Sequence, residues 1–245
     1  MSLRSHIPNA VTSANLLSGL AGVILAFDGR MEAAFLAMLA AAVFDFCDGL
    51  TARALKAFSP LGKDLDSLSD MVSFGALPAL MMVQTVRTGG GLWWAFLPLV
   101  FAVGAALRLA KFNVDTRQGT DFIGLPSPSA AILAGALCAL MAVSPEGGFP
   151  ASVAGSWYFL PGVALLLALL MVSEIPMFGM KIAPGHKLLD TPRIVFLALA
   201  VILVVLVLAT GARWTLFPLL LFSVYVAENL ILALLRPKSQ PNPNP

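Results

Sequence analysis

Charge is what this sequence has least of. Only 11% of its 245 residues are Asp, Glu, Lys or Arg, 59% are apolar, and mean hydropathy is +0.90. A soluble domain carries about 25% charged residues. So little charge cannot solvate the surface of a globule of this length, which excludes a soluble domain and points to a polytopic helical membrane protein. Collagen-like and intrinsically disordered classes are excluded by the same figures. Cysteine is almost absent. Cys47 and Cys138 stand alone in apolar runs, so a disulfide scaffold is excluded and both read as buried thiols. A net charge of +2 gives no argument for a nucleic-acid partner. The N-terminus carries one Arg4 and no small-residue cleavage site followed by polar sequence, so no cleavable signal peptide is expected.

Long apolar runs are what is there. A transmembrane helix needs roughly 20 mostly apolar residues, and about eight spans are expected: 10–27, 31–50, 68–86, 91–110, 126–144, 156–177, 193–211 and 213–235. Asp28-Gly29-Arg30, Thr88 with Gly89 to Gly91, and Ser144 to Gly148 read as turns between them. The joint at Gly211 is the tightest. With the N-terminus inside, eight spans put Arg4, Arg53, Lys56, Lys63, Arg108, Lys111, Arg117, Lys181, Lys187, Arg193, Arg236 and Lys238 on the cytoplasmic side. Only Arg30, Arg87 and Arg213 remain outside. This asymmetry supports an even number of spans with both termini cytoplasmic.

Acidic residues are scarce, 13 in all, yet Asp45, Asp48, Asp64, Asp66 and Asp70 crowd one segment. Asp45 and Asp48 are three apart near the end of the second span. Asp66 and Asp70 are four apart at the start of the third. On helices these spacings share a face. The turn signal Ser59-Pro60 lets the two helices return antiparallel and bring the pairs together. Four carboxylates at a membrane edge repel one another unless a cation joins them. All-oxygen ligands suit Mg²⁺ or Mn²⁺, and four acids suffice for two such ions clamping phosphoryl oxygens. Gly49 and Ala52 leave room beside Asp45, and Arg53 supplies a planar cation for a phosphate. Interfacial pairing with Arg53, Lys56 and Lys63 is the alternative, and it is the one favoured for Asp64.

These residues spell D-x2-D-G-x2-A-R-x8-G-x3-D-x3-D from Asp45 to Asp70. The pattern resembles the signature of the CDP-alcohol phosphotransferases. Ile7 to Asn15, Leu68 to Gly75, Ala106 to Asn113, and Phe122-Ile123-Gly124-Leu125-Pro126-Ser127-Pro128 narrow the likeness to the membrane-embedded phosphatidylserine synthases of bacteria and archaea. The resemblance covers about residues 6–190. It implies an all-α transmembrane bundle, which with the apolar runs gives one catalytic domain over 1–236; the last two spans carry no family signal, and the Pro/Asn-rich end, 237–245, reads as a disordered tail. It implies two divalent cations, Mg²⁺ or Mn²⁺, one on Asp45, Asp48 and Asp66 and the other on Asp45, Asp66 and Asp70, with Asp70 also the general base. Gly49, Ala52, Arg53, Ser59, Asn9 and Thr12 would meet CDP-diacylglycerol, and Asn15 is a weaker candidate. The implied reaction is attack by the L-serine hydroxyl on the lipid-bearing phosphorus, giving CMP and phosphatidylserine.

Serine is a zwitterion, and Arg108, Lys111 and Ser127 are the candidates for holding it. Arg117 reads as a cytoplasmic anchor or a further cation for the acceptor, Glu174 as structural or part of the pocket, and Lys181 as a contact to a phosphate or the acceptor. Met177 to Met180 depart from the polar residues that the synthases often carry there. Glu228-Asn229 in the last span reads as a helix contact. Within the same chemistry, the alternative acceptors are choline, glycerol phosphate or inositol phosphate. A divalent-cation transporter is the remote alternative, which would spread its acids through the membrane depth. The resemblance further implies a homodimer among membrane lipids, in the bacterial cytoplasmic membrane with its site facing the cytoplasm.

Overall fold

The computed structural model describes residues 3–57, 59–115, 122–144, 151–179 and 191–235, and among them the chain is nearly all helix. Nine α-helices follow in order: α1 (Leu3–Phe27), α2 (Met31–Leu55), α3 (Pro60–Asp70), α4 (Leu77–Thr88), α5 (Val100–Val114), α6 (Ser127–Ala142), α7 (Phe159–Val172), α8 (Thr191–Thr210) and α9 (Leu216–Leu235). In hydrocarbon the backbone must close its own hydrogen bonds, and apolar helix-forming runs do so locally. Among the described residues, five helices are long and apolar enough to cross a membrane: His6–Phe27, Met31–Leu55, Trp93–Val114, Arg193–Thr210 and Leu216–Leu235.

The remaining three expected spans take other forms. α3, a π-helical segment (Met71–Ala76) and α4 run on as one rod over 60–88, beginning ahead of the expected crossing segment 68–86. α6 and α7 have 16 and 14 residues. At 1.5 Å per residue they reach about 24 and 21 Å, short of a hydrocarbon core of about 30 Å. α7 stops at Val172, well before the expected 177. The physical reason is Pro176, which disfavours helix at the residue before it. Instead β2 (Pro176–Met177) pairs antiparallel with β1 (Phe122–Ile123), Phe122 opposite Met177 and Ile123 opposite Pro176. The expected start of the fourth span at 91 becomes a 3-10 segment (Trp93–Leu99) that leads into α5.

Local chemistry sets the sharp turn between α2 and α3. α2 runs past the expected end at 50, and Lys56 then takes the left-handed conformation (φ 49°), its N–H donating to the carbonyls of Ala52 and Arg53. Ser59 caps α3, its Oγ accepting from Gly62 N–H at 3.0 Å, with Pro60 in the first turn where its missing donor costs nothing. α6 is the buried centre and packs against α2, α4 and α9. Its Ala-rich face and Gly135 admit Phe35 and Met38 from α2. α8 is the opposite case, with Val201 64% and Leu208 76% exposed, as a lipid-facing helix would be. Arg117, Lys181, Lys187, Arg236 and the tail 237–245 lie outside the described residues.

Candidate active site

α2 and the α2–α3 turn bring the aspartates together. Asp45, Asp48 and Asp66 each offer a carboxylate oxygen within 4.8 Å of the others. They are the three acids that the resemblance assigns to one ion. Asp70 lies outside this group, one turn after Asp66, and its Oδ1 accepts from Asn15 Nδ2 at 3.2 Å. Asp48 is buried, and its Oδ2 accepts from the Thr12 hydroxyl at 2.6 Å. α1 therefore braces both pairs of acids with two side chains three residues apart on one face.

The donor set fits a hard divalent ion. Every ligand is a carboxylate oxygen, and Asp66 Oδ1 is buried with no hydrogen-bond partner among the described residues. A buried acceptor left bare beside two other acids is costly unless a cation joins it. Asp66 lies ahead of the crossing segment 68–86. Burial, and secondarily the charge of Asp48, raises its carboxyl from the ordinary 3.8 to about 6.

Beside the acids is a cavity of about 230 Å³. Asn9, Thr12, Gly49, Ala52, Arg53 and Ser59, all six candidate CDP-lipid contacts, line it. Lys63, unassigned from sequence, lines it too and donates from Nζ to the Asn113 carbonyl at 3.1 Å. A Cβ at Gly62 would stand 3.0 Å from both Asn9 Oδ1 and Ser59 Oγ, so glycine keeps this wall open. The lining thus combines two cations, suited to phosphate oxygens, with the carboxylates of Asp48 and Asp66, suited to a metal ion. The Ser59 hydroxyl oxygen already caps α3, so a phosphate can take only its proton.

The acceptor candidates separate. Arg108 on α5 is buried, donates to Ser127 Oγ at 3.1 Å and lies over the Phe112 ring at 5.7 Å. Its Nε has no partner among the described residues. Lys111 is instead paired with Glu174 at 3.2 Å on the surface. Asn113 Nδ2 donates to Ser67 Oγ at 2.9 Å, tying α5 to α3.

Sequence reading left Asn15 as a lesser nucleotide candidate, whereas the structure turns it to Asp70. The readable signal was its helical spacing from Asn9 and Thr12. The contacts of Tyr225 and Asn229 with the segment after α7 carried no comparable signal.

The family described as CDP-alcohol phosphatidyltransferase matches residues 5–173. A CDP-diacylglycerol–serine O-phosphatidyltransferase of Mycobacterium tuberculosis is 34% identical over 178 residues, 70% of this chain and 60% of that protein. An archaetidylserine synthase of Methanothermobacter thermautotrophicus is 38% identical over 128 residues, 51% of this chain and 54% of that protein. A CDP-diacylglycerol–serine O-phosphatidyltransferase of Methanocaldococcus jannaschii is 32% identical over 169 residues, 69% of this chain and 72% of that protein. The match thus spans about 60% of the length of the mycobacterial relative.

Proposed function

The chain belongs to the CDP-alcohol phosphatidyltransferase family, and from that premise we propose that it transfers the phosphatidyl group of CDP-diacylglycerol to the hydroxyl of L-serine. It is an integral membrane protein, with five apolar helices of crossing length in a family of membrane enzymes. The observation that carries the reading is the meeting of Asp45, Asp48 and Asp66 beside a cavity lined by Gly49, Ala52 and Arg53. The acceptor is supported by relatives whose names specify serine.

Two divalent cations, Mg²⁺ or Mn²⁺, held by Asp45, Asp48, Asp66 and Asp70, would neutralise the diphosphate and stabilise the departing CMP. Arg53 and Lys63 bind the phosphates from the cavity wall. Asn9 and Thr12 meet the nucleotide from α1. Asp70, oriented by Asn15, takes the proton of the serine hydroxyl. The freed oxygen bonds to the lipid-bearing phosphorus as the phosphorus–oxygen bond to CMP breaks, in line and with inversion. Arg108, steadied by Ser127, pairs with the serine carboxylate. Lys111, held by Glu174, takes no direct part. We place the site on the cytoplasmic face of a bacterial inner membrane, in a homodimer.

The test supplies CDP-diacylglycerol and Mg²⁺ or Mn²⁺ with radiolabelled serine, choline, glycerol phosphate or inositol phosphate. Serine-dependent CMP release with labelled lipid is expected. Release with a different alcohol reassigns the acceptor, and no release with any alcohol ends the enzyme reading.

A further inference from the structure

The family match ends at residue 173, yet α8 and α9 reach back to the segment that follows it. Three buried polar side chains make the connection. Asn229 Oδ1 accepts from Phe178 N–H at 2.8 Å, and its Nδ2 donates to the Tyr225 carbonyl at 2.8 Å. The Tyr225 hydroxyl donates to the Phe178 carbonyl at 3.0 Å. Arg193 Nε on α8 donates to the Gly179 carbonyl at 2.9 Å. Phe178, Phe196 and Tyr225 meet edge to face, with centroids 5.2 to 5.9 Å apart. Both backbone hydrogen-bonding groups of Phe178 are thus taken by α9.

That backbone leads directly to the acceptor side. Met177, next to Phe178, pairs with Phe122 in the β1–β2 ribbon. Gly124 N–H then donates to Ile175 O and Leu125 N–H to Leu170 O, both at 2.9 Å. Gly124 has φ 77°, and a Cβ there would press on the carbonyls of Met171 and Ser173, so the strand can make this turn only with glycine. Two residues after Leu125 stands Ser127, the partner of Arg108.

We propose that Tyr225 and Asn229 are positioning residues for the alcohol acceptor: they clamp Phe178 so that the ribbon presents Ser127 to Arg108. A membrane-anchor role for α9 needs no buried amide on a loop backbone. In hydrocarbon an unsatisfied polar group is expensive, so these bonds tie the ribbon to one position. This inference rests on the acceptor role given to Arg108 above.

The test compares Tyr225→Phe and Asn229→Ala with the unaltered full-length protein in detergent micelles. Kinetics give KM for serine and for CDP-diacylglycerol separately, and hydrogen exchange by mass spectrometry follows segments 122–125 and 174–179. We expect the serine KM to rise roughly fivefold or more, the scale of one lost hydrogen bond. The CDP-diacylglycerol KM should hold, and amide exchange should quicken in both segments. Tyr225→Phe removes a single hydroxyl and keeps the ring packing, so it decides the matter should Asn229→Ala fail to fold. Equal changes in both KM values, or unchanged exchange at 122–125, overturn the clamp. Should the unaltered protein release no CMP with serine, the proposed function fails, and exchange at 122–125 alone decides whether α9 clamps the ribbon.

Discussion

Asn15 on α1 donates from Nδ2 to Oδ1 of Asp70 at 3.2 Å, and the asparagine is wholly buried. The carboxylate given the role of base is therefore aimed by a helix that carries none of the aspartates. Loss of such a supporting hydrogen bond at a metal site costs about 10- to 100-fold in activity or metal affinity. Asn15→Ala should lower kcat for CMP release by that order while the KM for CDP-diacylglycerol stays within about twofold. Asn15→Asp should do worse, because it sets a second carboxylate against Asp70. An unchanged kcat in Asn15→Ala removes the aiming role.

Thr12 braces the other pair of acids through its 2.6 Å bond to Asp48. Thr12→Val keeps the volume and deletes the donor. Asp48 is buried, so water does not replace the bond. The concentration of Mg²⁺ giving half-maximal activity should rise by about tenfold. Titration of activity with Mg²⁺ checks this, and a curve that overlays the unaltered protein's refutes it.

Apolar runs made most of the bundle legible, because a membrane helix announces itself by composition alone. The acids, Gly49, Ala52 and Arg53 were legible because their spacing is helical on both sides of a Ser-Pro turn. What stayed hidden depends on contacts between distant segments. Met71 to Ala76 include the weak helix former Gly75, but their residue types do not distinguish a π turn from an α turn. The β1–β2 ribbon pairs only Phe122–Ile123 with Pro176–Met177, too short for an alternating pattern. The ion pair of Lys111 with Glu174 joins residues 63 apart in sequence, so no local pattern announces it.

The raised carboxyl of Asp66 sets a pH dependence. Its folded pKa of about 6 exceeds the ordinary 3.8, because burial and then Asp48 disfavour the charge. The metal-free folded protein thus holds this proton more tightly than the unfolded chain does. That stabilisation is complete below about pH 4 and is lost as pH rises through about 6. A divalent ion must displace the proton below that point and meets a free carboxylate above it. Saturating Mn²⁺ should therefore raise Tm more at about pH 7.5 than at about pH 5. Equal increments at both values would show that Asp66 does not take part in binding the ion.

Gly19 of α1 lies against the π-helical segment that follows Asp70. A Cβ there would overlap Ser73 Oγ and stand 3.0 Å from Ser73 Cα, and Ser73 donates to the Asn15 carbonyl at 3.2 Å. Turning the Ser73 hydroxyl relieves the overlap with Oγ, but its Cα at 3.0 Å and Cβ at 3.1 Å still require the two segments to part by a few tenths of an ångström. Gly19→Ala should cost about 1–3 kcal/mol as an overpacked core does. It should also lower kcat, since the displaced segment begins at the residue after Asp70. Gly162 on α7 meets nothing within 4 Å, and Gly162→Ala should leave kcat unchanged while adding up to about 1 kcal/mol from helix propensity. Thermal unfolding and CMP release measured on both variants separate close packing from a general intolerance of alanine. Equal stability and activity in the two would show that α1 can move away from the π segment without disturbing the acids.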